Sequence, residues 1–490
     1  MRYRLLTYGF LICLANTNIF AQAQCIEVRK DTSIFYLMGP QKNLLKTISI
    51  EVGLNMAMRG FNRFVLDDEY ANINLSSMRR NMKTLPVWDS NKFSTNLIAH
   101  PYHGSMYFSN ARTNGYNFYQ STPFTFGGSL MWEYLMETKP PSINDLVATT
   151  FGGTSLGEIT FRLSDLILDN RSEGMERIAR EFLGGILSPT RLINRITTKE
   201  LWKKDFRKGN LMELSPFALE LYFSNKSIIQ NNWNEKMRIF TFGAEIEYGK
   251  FDDETIERAY DWFDVKSEFN IINSSVYLTQ VNGIGVVFHK RIFSNQNMTL
   301  SGGIFQYFNY YNLNDTTISN IRKPYYISEV ASLGPGFLLQ NNRNDISAEL
   351  RIFTGALLLG ASISDYFKID DRDYNMGNGA SMKFYGNLKF KQKVRVSAFS
   401  ENYLIYTWKG IDEKLELKNL TISEIDFLNV QGDRSLAKLH VFGTKLVYNV
   451  SNKLCFLLES RNFVRRTSYN YFPSVRYQSN EIQIGLLFSL

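Results

Sequence analysis

Hydrophobic and polar residues alternate with a period of two through the second half of the chain. Phe240, Phe242, Ala244, Ile246 and Tyr248 share one face, and Thr241, Gly243, Glu245 and Glu247 take the other. Phe263, Val265, Phe269 and Ile271 stand in the same way against Asp264, Lys266, Glu268 and Asn270, and the pattern returns in Ala348, Leu350 and Ile352 and in Phe384, Leu388 and Phe390. Such alternation predicts strands with one face in apolar surroundings and one in polar surroundings. Turn clusters separate them: Asp252-Asp253, Asn273-Ser274, Asn341 to Asp345, Asp370 to Asp373, Gln431-Gly432-Asp433 and Ser451-Asn452. At about 20 residues per strand and turn, residues 215–490 hold about 12 to 14 strands; single-chain bacterial barrels take an even number, and 12 is expected.

Residues 44–205 follow a helical pattern instead. Pro140-Pro141 precedes Ser142 and Asp145, spaced as a capping box; Gly152-Gly153 then interrupts, and Ser155 and Glu158 repeat the spacing, predicting a second helix start. Further helices are expected over residues 48–63, 101–112, 127–138 and 173–187 and, after Ser188-Pro189, as far as residue 195. The predicted class is α+β: an N-terminal helical domain, then a C-terminal antiparallel transmembrane β-barrel over residues 215–490. The helical domain is expected as a plug in the barrel lumen or in the periplasm beneath it.

Arg2 and Arg4 ahead of the apolar run from Leu5 to Leu14, followed by Ala21-Gln22-Ala23, read as an export leader over residues 1–23, with residues 24–43 as a connecting segment. Gln24 stands before Cys25 where a lipid-attachment motif needs a small residue, which argues against acylation. Loss of Cys13 with the leader leaves Cys25 and Cys455, too few and too far apart for a disulfide framework. The 490 residues are 44% hydrophobic and 21% charged, with a mean hydropathy of −0.22, which excludes both a disordered chain and a polytopic helical membrane protein. The formal charge of +8 falls by two to +6 when Arg2 and Arg4 leave with the leader. It reads as an ordinary solvated surface or, in an exported chain, as one that meets outer-membrane lipid and lipopolysaccharide phosphates rather than nucleic acid.

The final strand carries Ile482, Ile484, Leu486, Phe488 and Leu490 on the outward face and Glu481, Gln483, Gly485 and Ser489 on the inward one. Gln483, Gly485, Phe488 and Leu490 resemble the C-terminal assembly signal of bacterial outer-membrane barrels, with Leu where the usual pattern ends in an aromatic residue. The resemblance implies the barrel assembly machinery as a partner.

Candidate chemistry concentrates in the helical half. His100 and His103 flank Pro101-Tyr102; Glu133 and Glu137 share a helix face, where like charges repel by a few tenths of a kcal/mol unless a cation or proton compensates. These four are the candidate catalytic or metal-ligating residues, as a His/Glu acid–base pair or a metal site, with Arg112 or Arg162 as alternative compensating charges. The spacing predicts that all four converge. Asp145 and Glu158 have sufficient roles as capping acids. Gly152, Gly153 and Gly157 lack the Lys-Ser or Lys-Thr of a phosphate loop and read as close helix packing. His289 and His440 have no serine at the spacing of outer-membrane hydrolases, and neither a Gly-x-Ser-x-Gly nor a His-Glu-x-x-His motif occurs.

Residues 94–165 combine His100-Pro101-Tyr102-His103-Gly104, Tyr107-Phe108, Ala111-Arg112, Ser129, Trp132-Glu133-Tyr134, Glu137, Pro141-Ser142, Asp145, Gly152-Gly153 and Gly157-Glu158. This set resembles an uncharacterised family of Bacteroidetes-type outer-membrane proteins with a domain of unknown function, which implies a Gram-negative envelope location and no known activity or cofactor. The reading is a plugged or narrow outer-membrane barrel with a structural, assembly or transport role; the alternative is a membrane-associated hydrolase or lipid-modifying enzyme using the His/Glu cluster.

Overall fold

The computed structural model describes residues 41–204, 216–230, 235–251, 256–313, 325–343, 345–368, 372–411 and 429–490; the leader, Cys25 and the Asp252-Asp253 turn lie outside them. The α+β class holds. Strands β1 (Phe217–Gln230), β2 (Glu235–Tyr248), β3 (Phe263–Ile272), β4 (Ser275–Ser294), β5 (Met298–Asn312), β6 (Tyr326–Arg343), β7 (Ile346–Ile363), β8 (Tyr374–Phe390) and β9 (Val394–Thr407) form an antiparallel meander. The short β10 (Gly410–Ile411) and β11 (Gly432–Asp433) pair in the following connection, and β12 (Ser435–Asn449), β13 (Leu454–Tyr469) and β14 (Val475–Ser489) complete the wall. Closure of β14 on β1 makes a barrel of 12 strands. At this seam Gln483 Nε2 donates to Ser224 Oγ at 2.6 Å, Phe488 lies edge-on to Phe223, and the Leu490 N–H reaches the Leu219 carbonyl at 2.9 Å.

Register carries the facing of each side chain around the wall, because directly paired residues share a face. Ser489, Glu220 and Glu245 pair in succession, then Lys266, Asn282, Asn309 and Glu329, so these all face the lumen. Their polar side chains bond across it. Arg461 on β13 donates to Gln280 on β4 at 2.8 Å and to Glu268 on β3 at 3.2 Å. Lys445 reaches Glu245 at 2.6 Å, Arg351 reaches Asp264 at 2.8 Å and Glu247 at 2.9 Å, and the Tyr311 hydroxyl donates to Glu401 at 2.8 Å. Toward the end opposite the C-terminus, inward Ile228, Ile239, Tyr325, Leu439, Val441 and Phe463 form an apolar layer. At the C-terminal end a cavity of about 540 Å³ remains, lined by Glu220, Glu245, Lys266, Arg351, Arg395 and Lys445 among others. The outward face is apolar, with Phe240, Phe337, Leu350, Met382, Leu446, Leu458, Ile484 and Leu486 exposed.

The helical half comprises α1 (Leu44–Phe64), α2 (Leu75–Asn81), α3 (His100–Thr113), α4 (Phe118–Leu135), α5 (Ile143–Val147), α6 (Gly153–Ile167), α7 (Gly174–Leu187) and α8 (Pro189–Thr197). Helix α4 starts nine residues earlier than its pattern suggests, because Asn117 and Gln120 form a capping box ahead of Pro123. No described helix is long and apolar enough to cross a membrane.

This domain packs against the outside of the barrel. Phe93 stacks on Tyr326 at 4.5 Å between centroids and also meets Tyr310 and Tyr374. Trp88, Leu97, Ala148 and Leu156 join the same core as Val330, Leu359, Ala361 and Met376. Tyr326, Tyr310, Val330, Leu359 and Ala361 have the outward parity, one residue out of step with the lumen set or beyond a register shift in β6 and β7. Further along, Phe108, Phe118 and Ile159 cover Tyr248, Tyr260 and Phe263. The expected positions in the lumen or beneath the barrel are thereby corrected. The barrel fills its lumen with its own side chains, while the outer faces of β2 to β8 carry the aromatic residues that receive the helices.

Removing one partner of a buried ion pair leaves the other uncompensated. Arg461→Met is therefore expected to destabilise the folded barrel by ~3–5 kcal/mol, whereas Lys391→Ala, at an exposed pair with Asp345, leaves stability unchanged. Urea unfolding in lipid vesicles, followed by heat-modifiable gel migration, measures both.

Candidate functional site

Two wide π-helical turns frame the site. Thr95–Ala99 leads into α3, and Ala148–Gly152 joins α5 to α6. Proline lacks the amide proton of a regular helix and crowds the preceding turn; the wide turn ahead of Pro101 lets the chain run helically into it. His100 is thus a helical residue, not the cap ahead of Pro101. Likewise α5, the wide turn and α6 run on without a new start, which corrects the second capping box. Ser155 lies inside α6 and accepts from the Tyr260 hydroxyl at 2.8 Å; Glu158 holds Arg112 at 2.7 Å and Arg162 at 2.8 Å. The Gly152-Gly153 interruption serves packing: a Cβ on Gly153 would lie 2.6 Å from Gly104 Cα, and one on Gly104 only 1.9 Å from the Thr149 carbonyl oxygen.

That backbone contact presses α3 against the α5–α6 segment and brings His100 to Asp145, Nε2 to Oδ2 at 3.4 Å. Glu133 enters from α4, where its Oε2 accepts the Ser142 amide at 2.8 Å. One ligand atom from each of His100, Glu133 and Asp145 lies within 4.8 Å of the others. Ser142 caps α5 by accepting from the Asp145 amide at 3.2 Å, but its own amide goes to Glu133 rather than to the Asp145 carboxylate. It accepts from Asn144 at 2.9 Å and faces His100.

Of the four predicted residues, the structure brings His100 and Glu133 together. Glu137, one turn beyond, is hydrogen-bonded to Glu133 and close enough to act on Asp145, though it is not one of the three residues whose ligand atoms converge. His103 points elsewhere: its Nε2 lies 2.9 Å from the Tyr107 hydroxyl, which also bonds Asn55, and its ring meets Trp132 edge-on. It ties α3 to α1 and α4. Asp145 takes the place expected of His103, behind a capping role that the sequence explained without remainder. Asp89 forms the back of the site, where one oxygen accepts from Asn96 and Asn144, each at 2.7 Å.

Glu133 is 1% exposed and Asp145 3%. Burial first, then Glu137 and Asp145, hold the Glu133 carboxyl well above its ordinary pKa; burial, then Asp89 and Glu137, do the same for Asp145. Burial lowers the pKa of His100 and pushes that of His103 down to about 3. These shifts all favour the uncharged forms, protonated acids beside a neutral imidazole. Such a set donates and accepts protons, or exchanges them for a divalent cation with one nitrogen and two oxygen ligands.

A family model described as "Domain of unknown function (DUF3943)" matches residues 85–190, the segment that carries all of these groups. No curated protein matches the chain. Among solved structures, the NanC porin is 11% identical with a TM-score of 0.27, over 55% of this chain and 100% of that one. The outer membrane channel DcaP of Acinetobacter baumannii is 9% identical with a TM-score of 0.22, over 56% and 96%. Outer membrane phospholipase A from Escherichia coli is 11% identical with a TM-score of 0.26, over 55% and 89%.

Carboxyls with raised pKa values keep protons in the folded protein that the unfolded chain releases above its ordinary range, so the metal-free protein is expected to lose stability as pH rises toward the raised values. Glu133→Gln should flatten that slope, measured by urea unfolding at stepwise pH. If the centre takes a divalent cation, Zn2+ or Mn2+ should bind more tightly at higher pH, as protons leave, and Asp145→Asn should abolish binding in calorimetric titration.

Proposed function

We propose that the protein is a sealed, non-conducting outer-membrane barrel that anchors its helical domain at the membrane in a structural or assembly role. The observation that carries this is the set of side-chain bonds spanning the lumen, with Arg461 joined to Glu268 and Gln280 and Tyr311 to Glu401. A conducting pore needs a continuous water column, whereas here paired charges and an apolar layer occupy the cross-section. The apolar outer face and the closure of β14 on β1 favour the outer membrane, its lipid and lipopolysaccharide, and the barrel assembly machinery as partners.

A second reading rests on His100, Glu133 and Asp145. A buried acid–base or metal centre is a reasonable place for a hydrolytic or lipid-modifying reaction. This reading assigns the barrel the same anchoring role and gives the helical domain the chemistry.

In planar bilayers the purified protein is expected to give no steady current. Large, reproducible single-channel steps would overturn the sealed-barrel reading. Hydrolysis of membrane lipid that disappears in both Glu133→Gln and Asp145→Asn, with folding intact, would establish the second.

A further inference from the structure

The helical domain is arranged inside out. In α1 the buried side chains are Thr47, Glu51, Asn55 and Asn62, whereas Leu44, Leu45, Ile48, Met56, Phe61 and Phe64 are exposed. The other exposed positions of that helix are Ser49, Gly53 and Ala57. In α7 the buried residues are Arg180, Glu181, Gly184 and Gly185, and Met175, Ile178, Phe182 and Ile186 point out. In α8, Thr190, Arg191, Asn194 and Arg195 are buried and Ile193 and Ile196 exposed. Buried charges of α7 and α8 are paired within the domain: Arg195 with Glu181 at 2.6 Å, Arg177 with Glu181 at 3.0 Å and Arg191 with Asp165.

A helix facing water turns its apolar stripe to the core and its charges outward. Three helices with the reverse distribution, in one domain, belong to a surface that does not meet water. The position of the domain identifies what it meets. It is seated on the outward faces of β2 to β8, and the exposed apolar wall continues beside it through Phe337, Leu350 and Met382. Charged groups collect at the edges: Arg79, Arg80 and Lys83 around α2, and Lys199, Lys203 and Lys204 beside the exposed Trp202 after α8. Tryptophan with lysine or arginine is the residue pair of the headgroup region. The close Gly104–Gly153 crossing is also of the small-residue type by which helices associate in lipid.

We propose that the outer surfaces of α1, α7 and α8 contact lipid acyl chains, so that the helical domain lies within the hydrocarbon layer beside the barrel, with its polar core closed off from it. This rests on the outer-membrane reading above. Lipid is the occupant because the apolar helix faces continue the lipid-facing wall of the same molecule.

The test uses the unmodified full-length protein in vesicles of phosphatidylcholine containing a fraction with a photoactivatable diazirine on the acyl chain. After illumination, peptides are mapped by mass spectrometry. Labelling of residues 44–64 and 174–197 to the same extent as the outward residues of β12 to β14 is the expected result. Label on the barrel strands with none on these helices would overturn the proposal while leaving the location intact. Label on neither would sink the outer-membrane reading itself. Cross-links joining the helices of two copies, in place of lipid adducts, would also overturn the proposal by showing a second copy as the occupant. As an independent check, bromide or iodide in the water should leave a fluorophore at Phe182→Cys unquenched, and a doxyl group on the acyl chain should quench it.

Discussion

A charge removed from water must meet its partner, and this protein has placed charges out of water in both of its halves. In the barrel, Glu268 is held by Lys226 and Arg461, and Glu459 by Arg461 and Lys266. In the helical domain, Glu158 lies between Arg112 and Arg162, and Arg162 extends to Asp261 in the connection between β2 and β3 at 3.0 Å. Such networks add little to stability beyond what packed apolar side chains would contribute, but they tolerate only one geometry, since any misplaced member strands another. The strand register, the bundle interior and the contact between the halves all have to agree for the charges to be satisfied.

The barrel was legible in the sequence because its two faces meet different surroundings at every strand. Phe240 to Tyr248 and Ile482 to Leu490 alternate without ambiguity, and length bounds the number of strands at about 12 to 14, of which the structure has 12. The helical half was less legible for a physical reason. A period of 3.6 reveals which residues share a face but not whether that face is turned toward a protein core or away from it. Glu51 and Asn55 in α1, read by the habit of soluble proteins, belong on the surface; they are inside. The same ambiguity hid the position of the domain, since the outward aromatic residues Tyr310, Tyr326 and Tyr374 look like any others on a barrel wall.

The candidate centre was half legible. His100 and Glu133 stood out through their neighbours, Pro101 and Glu137. Asp145 did not, because a capping position is a complete explanation for an acid three residues after Ser142. Only the three-dimensional crossing at Gly104 and Gly153 turns its carboxylate toward the imidazole. His103 was misassigned because helical spacing placed it near Glu133, whereas Tyr107 one turn later claims its ring nitrogen. The wide turns before His100 and after Val147 shift the helical phase and were invisible to any count by fours.

The attachment of the helices to β2 through β8 also imposes an order in time. Residues 41–204 precede β1 in the chain, yet Phe93 rests on Tyr310, Tyr326 and Tyr374, more than 200 residues downstream. The helical domain can find its seat only once the middle of the wall exists. Meanwhile the seam between β1 and β14, where the wall closes last in sequence, has the exposed Ile482, Ile484 and Leu486 on its outer side rather than helices. The chain can therefore seat its earliest portion on half-built strands and still join its two ends, because the two events take place on different arcs of the same circumference.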